Sequence, residues 1–265
     1  MKFVILVTHS TPHLKNTLAS FALASIEPQV LCWNEKWKGW KWRLEKYLDF
    51  CNTLMDAPEE VVAFIDAFDV LCLRKDVYPH FENTFHLFNS DIVFSSEWWC
   101  GSSLNCGSTA KFSDEQICLS IDRNLEINSK KNNNLNVGFV CGKVKALAKM
   151  YSDVLNRAVK NIGSFDDQKA ISQWVDSDLS ASLKLSLDRQ GLLCKTVNVF
   201  DCLDKKTVQH KPFFAHFPGP MLKIGLFPHY NVNAQSILGQ KAKIKGLYNV
   251  VYALLCILII TFIIS

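Results

Sequence analysis

The chain has 265 residues, of which 49% are hydrophobic and 20% charged. This balance is typical of a globular protein with a real core, and it excludes a mainly disordered, collagen-like or coiled-coil chain. The net charge of +4 is small for this length and no dense basic stripe accompanies it, so we expect no nucleic-acid partner.

Strand-like and helix-like segments alternate through most of the chain. The run 3–7 is apolar and rich in β-branched residues, which predicts a strand buried on both faces. Further strands are predicted at 29–32, 61–65, 92–94, 137–140, 182–187 and 213–215, and helices at 11–24, 40–55, 77–88, 143–162 and 166–175. This alternation indicates βαβ crossovers, so we expect an α/β domain with a mainly parallel, Rossmann-type sheet flanked by helices.

Two stretches have a distinct polar pattern. Residues 182–187 alternate apolar and polar side chains, which predicts an amphipathic strand. Residues 124–136 are rich in Asn and Lys, which predicts a solvated loop.

The ten cysteines form no C-x-x-C pair, so neither a zinc ribbon nor a thioredoxin-type motif is indicated.

A hydrophobic segment lies at 247–264. Its eighteen residues carry no charge, which is close to the length that a helix needs to cross a bilayer core. The alternative is a buried soluble helix, but such a helix normally shows a polar stripe. We therefore predict a domain at 1–232, a basic juxtamembrane linker at 233–246 and a transmembrane helix at 247–264, with the lipid bilayer as a partner.

The flanking residues predict the orientation of this single-pass C-terminal anchor. The lysines at 241, 243 and 245 precede the hydrophobic segment, and positive charge favours the cytosolic side. The first residues lack the apolar run of a signal peptide, and no asparagine heads an N-x-S/T sequon. We expect the domain 1–232 to lie in the cytosol.

Asp66 and Asp69 directly follow the predicted strand 61–65. In open α/β sheets, ligands bind at the carboxyl ends of the strands. Two carboxylates on one turn can hold a hard divalent cation, which can in turn bind phosphate oxygens. The alternative is a helix cap or an Asx-turn. A phosphatase would need its two aspartates two residues apart, and here the interval is three.

Three weaker signals lie elsewhere in the chain. His216 follows the predicted strand 213–215 and precedes a Pro-Gly-Pro turn, although a lone histidine is more often structural. Asp166 and Asp167 open a predicted helix, where acidic residues also simply favour the helix dipole. Asn136 lies just before a strand that contains glycines, and glycines permit close approach of a ligand or of another backbone.

The order of these motifs resembles the glycosyltransferase domain of procollagen lysyl hydroxylases and its stand-alone relatives. The resemblance covers about residues 2–232, and its motifs are short but occur in the same order. They lie at 4–8, 41–44, 64–69, 93–97, 135–142, 166–168, 187–188 and 216–220. The resemblance implies a GT-A fold that uses a UDP-sugar and Mn²⁺.

The resemblance also implies roles for individual residues. Asp66, Asp69 and His216 would bind Mn²⁺, which would neutralise charge on the departing UDP. Other residues that would contact the donor are Thr8, Trp37, Gly219 and Lys223. Asp166, Asp167 and Asn136 would line the sugar or acceptor side as catalytic residues.

These observations favour a membrane-anchored glycosyltransferase that moves a hexose from a UDP-sugar to a hydroxyl group of a protein or glycan. One alternative is a catalytically degenerate GT-A fold that serves as a membrane-anchored binding module. Another is a tail-anchored adaptor without a small-molecule site, which leaves Asp66, Asp69 and His216 unexplained. Because the relatives work in the secretory pathway, the lumen of the ER or Golgi is the alternative location.

Overall fold

A computed structural model describes residues 1–97, 134–158, 165–197 and 212–218. All of these residues belong to the predicted domain 1–232. Gly219, Lys223, the predicted linker 233–246 and the predicted transmembrane helix 247–264 lie outside them. Within the described ranges, none of the helices has the length and apolar character needed to cross a bilayer.

The described residues form nine strands, five α-helices and a short 3₁₀ helix at Asp178–Ser180. The strands are β1 (Lys2–Leu6), β2 (Gln29–Leu31), β3 (Val61–Ile65), β4 (Val70–Cys72), β5 (Ile92–Glu97), β6 (Asn134–Lys143), β7 (Leu185–Asp188), β8 (Cys194–Thr196) and β9 (Phe214–His216). The helices are α1 (Pro12–Leu23), α2 (Trp40–Asn52), α3 (Val77–Leu87), α4 (Val144–Ala158) and α5 (Asp167–Val175).

All nine strands join one mixed sheet. Its order is β2-β1-β3-β6-β5-β8-β9-β4, with β7 also paired to β5. β6 runs antiparallel to both β3 and β5, and β4 runs antiparallel to β9, whereas the other pairings are parallel. The α/β class is confirmed, but the expected mainly parallel sheet is corrected to a mixed one. Hydrophobic periodicity identifies a strand, but the direction in which it pairs depends on distant backbone partners.

The sheet is covered by helices on both faces. Val4 and Leu6 of β1 belong to one apolar cluster, together with side chains of α2, α4 and α5. Phe3 and Ile5 belong to a second cluster, together with side chains of α1 and α3. Since successive side chains of a strand point to opposite faces, β1 is buried on both, as its apolar run predicts.

Several element boundaries differ from the prediction. The sequence pattern does not predict β4 or β8, although it predicts β2 and β9, which are equally short. β6 begins at Asn134, so the predicted loop 124–136 is wrong for its last three residues. β7 confirms a strand for the last three residues of the predicted 182–187, but all four of its residues are buried, so the predicted amphipathic character is wrong. Its polar positions are buried because β7 pairs with the central strand β5.

Candidate active site

Asp66 and Asp69 lie in the turn that joins β3 to β4. The backbone N–H of Asp66 donates to the carbonyl oxygen of Gly138 at 2.8 Å, and the N–H of Phe217 donates to the carbonyl oxygen of Asp69 at 2.7 Å. The turn is therefore held from two sides, by β6 and by the chain after β9. Because it leads into a strand and not into a helix, the two carboxylates do not cap a helix.

His216 is the last residue of β9, which pairs with β4 so that His216 lies opposite Val70. Its Nε2 atom lies 3.8 Å from Oδ2 of Asp69 and 3.9 Å from Oδ2 of Asp66. These separations are too long for hydrogen bonds. They suit two ligands of one ion, because metal–ligand bonds are about 2.1 Å long.

The spacing of the three candidate ligand atoms and the charge around them also fit a divalent cation. One ligand atom from each of Asp66, Asp69 and His216 lies within 4.8 Å of the others. Burial by itself would lower the pKa of His216, but the carboxylates of Asp69, Asp66 and Glu97 outweigh it and raise the pKa. The surroundings thus stabilise a positive charge at this point. The buried Nδ1 atom of His216 has no hydrogen-bond partner within the described part of the chain.

Arg43 of α2 connects this cluster to α5. Its guanidinium donates to Oδ1 of Asp66 at 2.7 Å and to Oδ2 of Asp167, and it lies 4.7 Å from the centre of the Trp40 ring. Burial opposes the charge of Arg43, but Asp66 and Asp167 outweigh this effect and raise its pKa. Burial raises the pKa of Asp167, and Arg43 counteracts that shift.

Sequence reasoning assigned no role to Arg43, although a signal was present. Arg43 lies four and seven residues before Tyr47 and Phe50, so the three share one face of α2, and all three are buried. A charged residue on an apolar helix face must be paired.

A second polar group surrounds Glu97 at the end of β5. Its Oε2 accepts from Nδ2 of Asn136 at 2.9 Å, and its Oε1 accepts from Nε2 of Gln168 at 2.6 Å. The Oδ1 atom of Asn136 accepts from the backbone N–H of Gly138 at 2.8 Å. Asn136 therefore joins Glu97 to the backbone beside His216.

The two aspartates that open α5 have different partners. Asp166 caps the helix, because its Oδ1 accepts from the backbone N–H of Lys169 at 2.8 Å. Asp167 instead pairs with Arg43. Asp166 therefore has a structural role at the start of α5.

A cavity of about 290 Å³ brings most of these residues together. They are Asp66, Asp69 and His216 with Arg43, Glu97, Asn136, Asp166, Asp167 and Gln168, and the remaining lining residues are Trp40, Val137, Gly138 and Pro218. Its volume is close to the lower end of the range for small-molecule sites. A candidate metal-binding cluster, a second acidic cluster and an aromatic ring thus share one cleft.

Two of the residues predicted to contact the donor do not line this cavity. Thr8 follows β1 and is buried, with its Oγ1 atom 2.9 Å from Nδ1 of His9. Trp37 is 41% exposed and packs edge-to-face against Trp40 at 5.0 Å and Trp42 at 5.6 Å. Trp37 therefore contacts Trp40, which lines the cavity, without lining the cavity itself.

Comparisons with known proteins yield structural neighbours only. No family profile and no curated protein matches the sequence. A solved glycosyltransferase involved in the glycosylation of the major capsid of PBCV-1 is similar, with a TM-score of 0.50 and 12% identity over 87% of this chain and 98% of that chain. A proposed glucose-1-phosphate thymidylyltransferase from Bacillus anthracis, solved with sucrose, has a TM-score of 0.35 and 11% identity over 71% of this chain and 86% of that chain. At such low identity, the first likeness shows a shared fold: a mixed α/β sheet with flanking helices, as in that glycosyltransferase.

Proposed function

We propose that this chain is a metal-dependent glycosyltransferase that moves a hexose from a UDP-sugar to a hydroxyl group of a protein or glycan. The observation that carries this proposal is the convergence of Asp66, Asp69 and His216 in one cleft of a glycosyltransferase-like fold. The similar structure is that of a glycosyltransferase involved in the glycosylation of the major capsid of PBCV-1, and we take over from it only the general reaction, sugar transfer.

The charge of the cleft supports metal dependence. Five carboxylates line it, from Asp66, Asp69, Glu97, Asp166 and Asp167, whereas Arg43 is the only lining lysine or arginine among the described residues. Arg43 is already paired with two of these carboxylates. A nucleoside diphosphate would be repelled here unless a cation were bound first. We therefore expect the donor to bind together with a divalent cation, which we propose to be Mn²⁺.

Each side chain then has a specific task. Asp66, Asp69 and His216 would hold the ion, which when bound supplies electrostatic stabilisation of the charge that develops on the departing diphosphate. Asp166 and Glu97 line the same cavity, and their carboxylate oxygens can accept hydrogen bonds from sugar or acceptor hydroxyls. Asn136 and Gln168 hold Glu97 in one orientation.

The finer assignment rests on the motif order that resembles the procollagen lysyl hydroxylase domain. From it we take UDP as the nucleotide, and Gly219 and Lys223 as residues near the diphosphate. The degenerate binding module is the competing function. It is disfavoured because a fold kept only for binding has no need for the complete set of Asp66, Asp69 and His216.

The decisive experiment is a donor screen with the purified full chain. UDP release from UDP-glucose, UDP-galactose and related donors is measured with Mn²⁺, with EDTA, and with the variants Asp69→Ala and Asp56→Ala. Asp56 is an exposed acid outside the cavity and serves as the matched control. We expect release that requires Mn²⁺ and Asp69 but not Asp56. Absence of release from every donor, or release that EDTA does not affect, would contradict the proposal.

A further inference from the structure

We propose that Arg43 is a positioning residue that sets how Asp66 is presented to the metal and couples this ligand to Asp167. The inference deepens the proposed function and rests on its metal site. Arg43 would neither ligate the ion nor react with substrate. It would act through the two carboxylates that it holds.

The two oxygens of Asp66 have different surroundings. Oδ1 accepts a hydrogen bond from Arg43 Nη1 at 2.7 Å, whereas Oδ2 faces Nε2 of His216 at 3.9 Å. Arg43 therefore stabilises one rotation of the carboxylate and occupies one of its oxygens. Asp66 would then offer the ion a single oxygen, Oδ2, in a fixed direction.

The other arm of the guanidinium binds Asp167, which is not part of the metal-ligating cluster. Asp66 and Asp167 are 101 residues apart, and one side chain reaches both because a guanidinium presents its N–H groups as a planar fork. A lysine at position 43 would keep the charge but would concentrate it on one flexible nitrogen. It could not hold both carboxylates in the same defined way.

The surroundings of Arg43 keep this fork in place. The residue is only 5% exposed, and its guanidinium lies over the ring of Trp40. Losing either carboxylate would leave buried N–H groups of the guanidinium without their acceptor, which is costly in a medium of low dielectric constant. Any change at Asp167 should therefore alter the way Arg43 binds Asp66, and through it the metal. The start of α5 and the metal site are linked by one side chain.

The test measures Mn²⁺ affinity of the full chain in the absence of any donor, by electron paramagnetic resonance or calorimetry. The variants are Arg43→Lys, Asp167→Asn and the double variant, and each is checked for folding by circular dichroism. Arg74→Lys is the matched control, because Arg74 also holds an aspartate, Asp76, but both lie outside the cavity. Metal selectivity among Mn²⁺, Mg²⁺ and Ca²⁺ is a second readout, since a loosened carboxylate tolerates ions of different size.

We expect Arg43→Lys and Asp167→Asn each to weaken Mn²⁺ binding about tenfold, which is the typical effect of losing a group that orients a metal ligand. The double variant should be no weaker than Arg43→Lys alone, because both changes break the same link. Arg74→Lys should leave the affinity unchanged.

Two results would overturn the inference while leaving the proposed function intact. One is a folded Arg43→Lys variant with the affinity and selectivity of the wild type. The other is an Asp167→Asn effect of the same size whether residue 43 is Arg or Lys, since that would show an influence of Asp167 that does not pass through Arg43. A wild-type chain that binds no Mn²⁺ would contradict the proposed function, and this inference with it.

Discussion

Gly138 lies so close to the imidazole of His216 that a Cβ atom at position 138 would be 2.2 Å from Cε1 of that ring. The two residues belong to β6 and β9, which are not neighbours in the sheet. The position of the histidine thus depends on the absence of a side chain 78 residues earlier in the chain.

We predict that Gly138→Ala displaces His216. The added methyl group should cost about 1–3 kcal/mol of stability through overpacking, and Mn²⁺ affinity should fall because the imidazole moves. Thermal unfolding and Mn²⁺ titration measure the two effects. In a His216→Ala background the same substitution should cost much less stability, since the ring is gone. An equal cost in both backgrounds would contradict the proposed contact.

Asp66→Ala and Asp69→Ala should both lower UDP release by more than about 100-fold, because each removes a proposed metal ligand. They should differ in stability. Asp66→Ala also leaves Arg43 with one carboxylate fewer, whereas Asp69 makes no ion pair with Arg43. Urea unfolding should therefore show a larger loss of stability for Asp66→Ala. Wild-type activity in either folded variant would remove that residue from the site.

Asn136→Ala should destabilise the protein by about 1–3 kcal/mol and reduce activity. The substitution takes hydrogen-bond partners from the buried carboxylate of Glu97 and from the N–H of Gly138 at once. Ser95→Ala is the control on the neighbouring strand, because within the described residues the Ser95 hydroxyl donates a single hydrogen bond, to the carbonyl oxygen of Asn136. If the two variants are equally stable and active, the amide of Asn136 does not hold Glu97.

The buried carboxylate of Asp188 should make stability depend on pH. Burial raises its pKa to about 6, although the backbone N–H groups of Cys194, Leu192 and Leu193 donate to it and oppose that shift. Between about pH 4 and 6 the folded state therefore binds more protons here than the unfolded chain does. The contribution of Asp188 is fully present below this window and is lost as the pH rises through it.

The measurement is the free energy of unfolding in urea from pH 4 to 7, for the wild type and Asp188→Asn. Other carboxylates titrate in the same window, so the difference between the two proteins is the relevant quantity. The wild type should lose up to about 3 kcal/mol relative to the variant as the pH rises from 4 to 6. A constant difference across this window would show that Asp188 titrates normally.

We also expect the segment 247–264 to anchor the full chain in a membrane with the domain 1–232 in the cytosol. The reasons are its uncharged, apolar composition and the lysines that precede it. Alkaline extraction of membranes should leave the chain in the pellet, and protease added to intact microsomes should digest the domain. Protection of the domain would place it in the lumen.

Local sequence patterns sufficed for the strand and the turn that carry the proposed metal ligands Asp66 and Asp69. The apolar run Val61–Ile65 is a buried strand, and Asp66 and Asp69 follow it at the point where ligands bind in such sheets. Asp166 begins α5 as its cap, which is also a local rule. These features depend on side-chain periodicity and on hydrogen bonds between near neighbours in the chain.

The remaining features were decided by tertiary structure. The direction of β6, the pairing of Arg43 with Asp66 and Asp167, and the place of His216 against Gly138 each join segments far apart in sequence. A sequence shows that Arg43 needs a partner, but not which carboxylate lies within reach. Strand register and helix packing decide which carboxylate that is. A buried charge can pair, and a ring can pack, only with side chains that the folded chain places within a few ångströms.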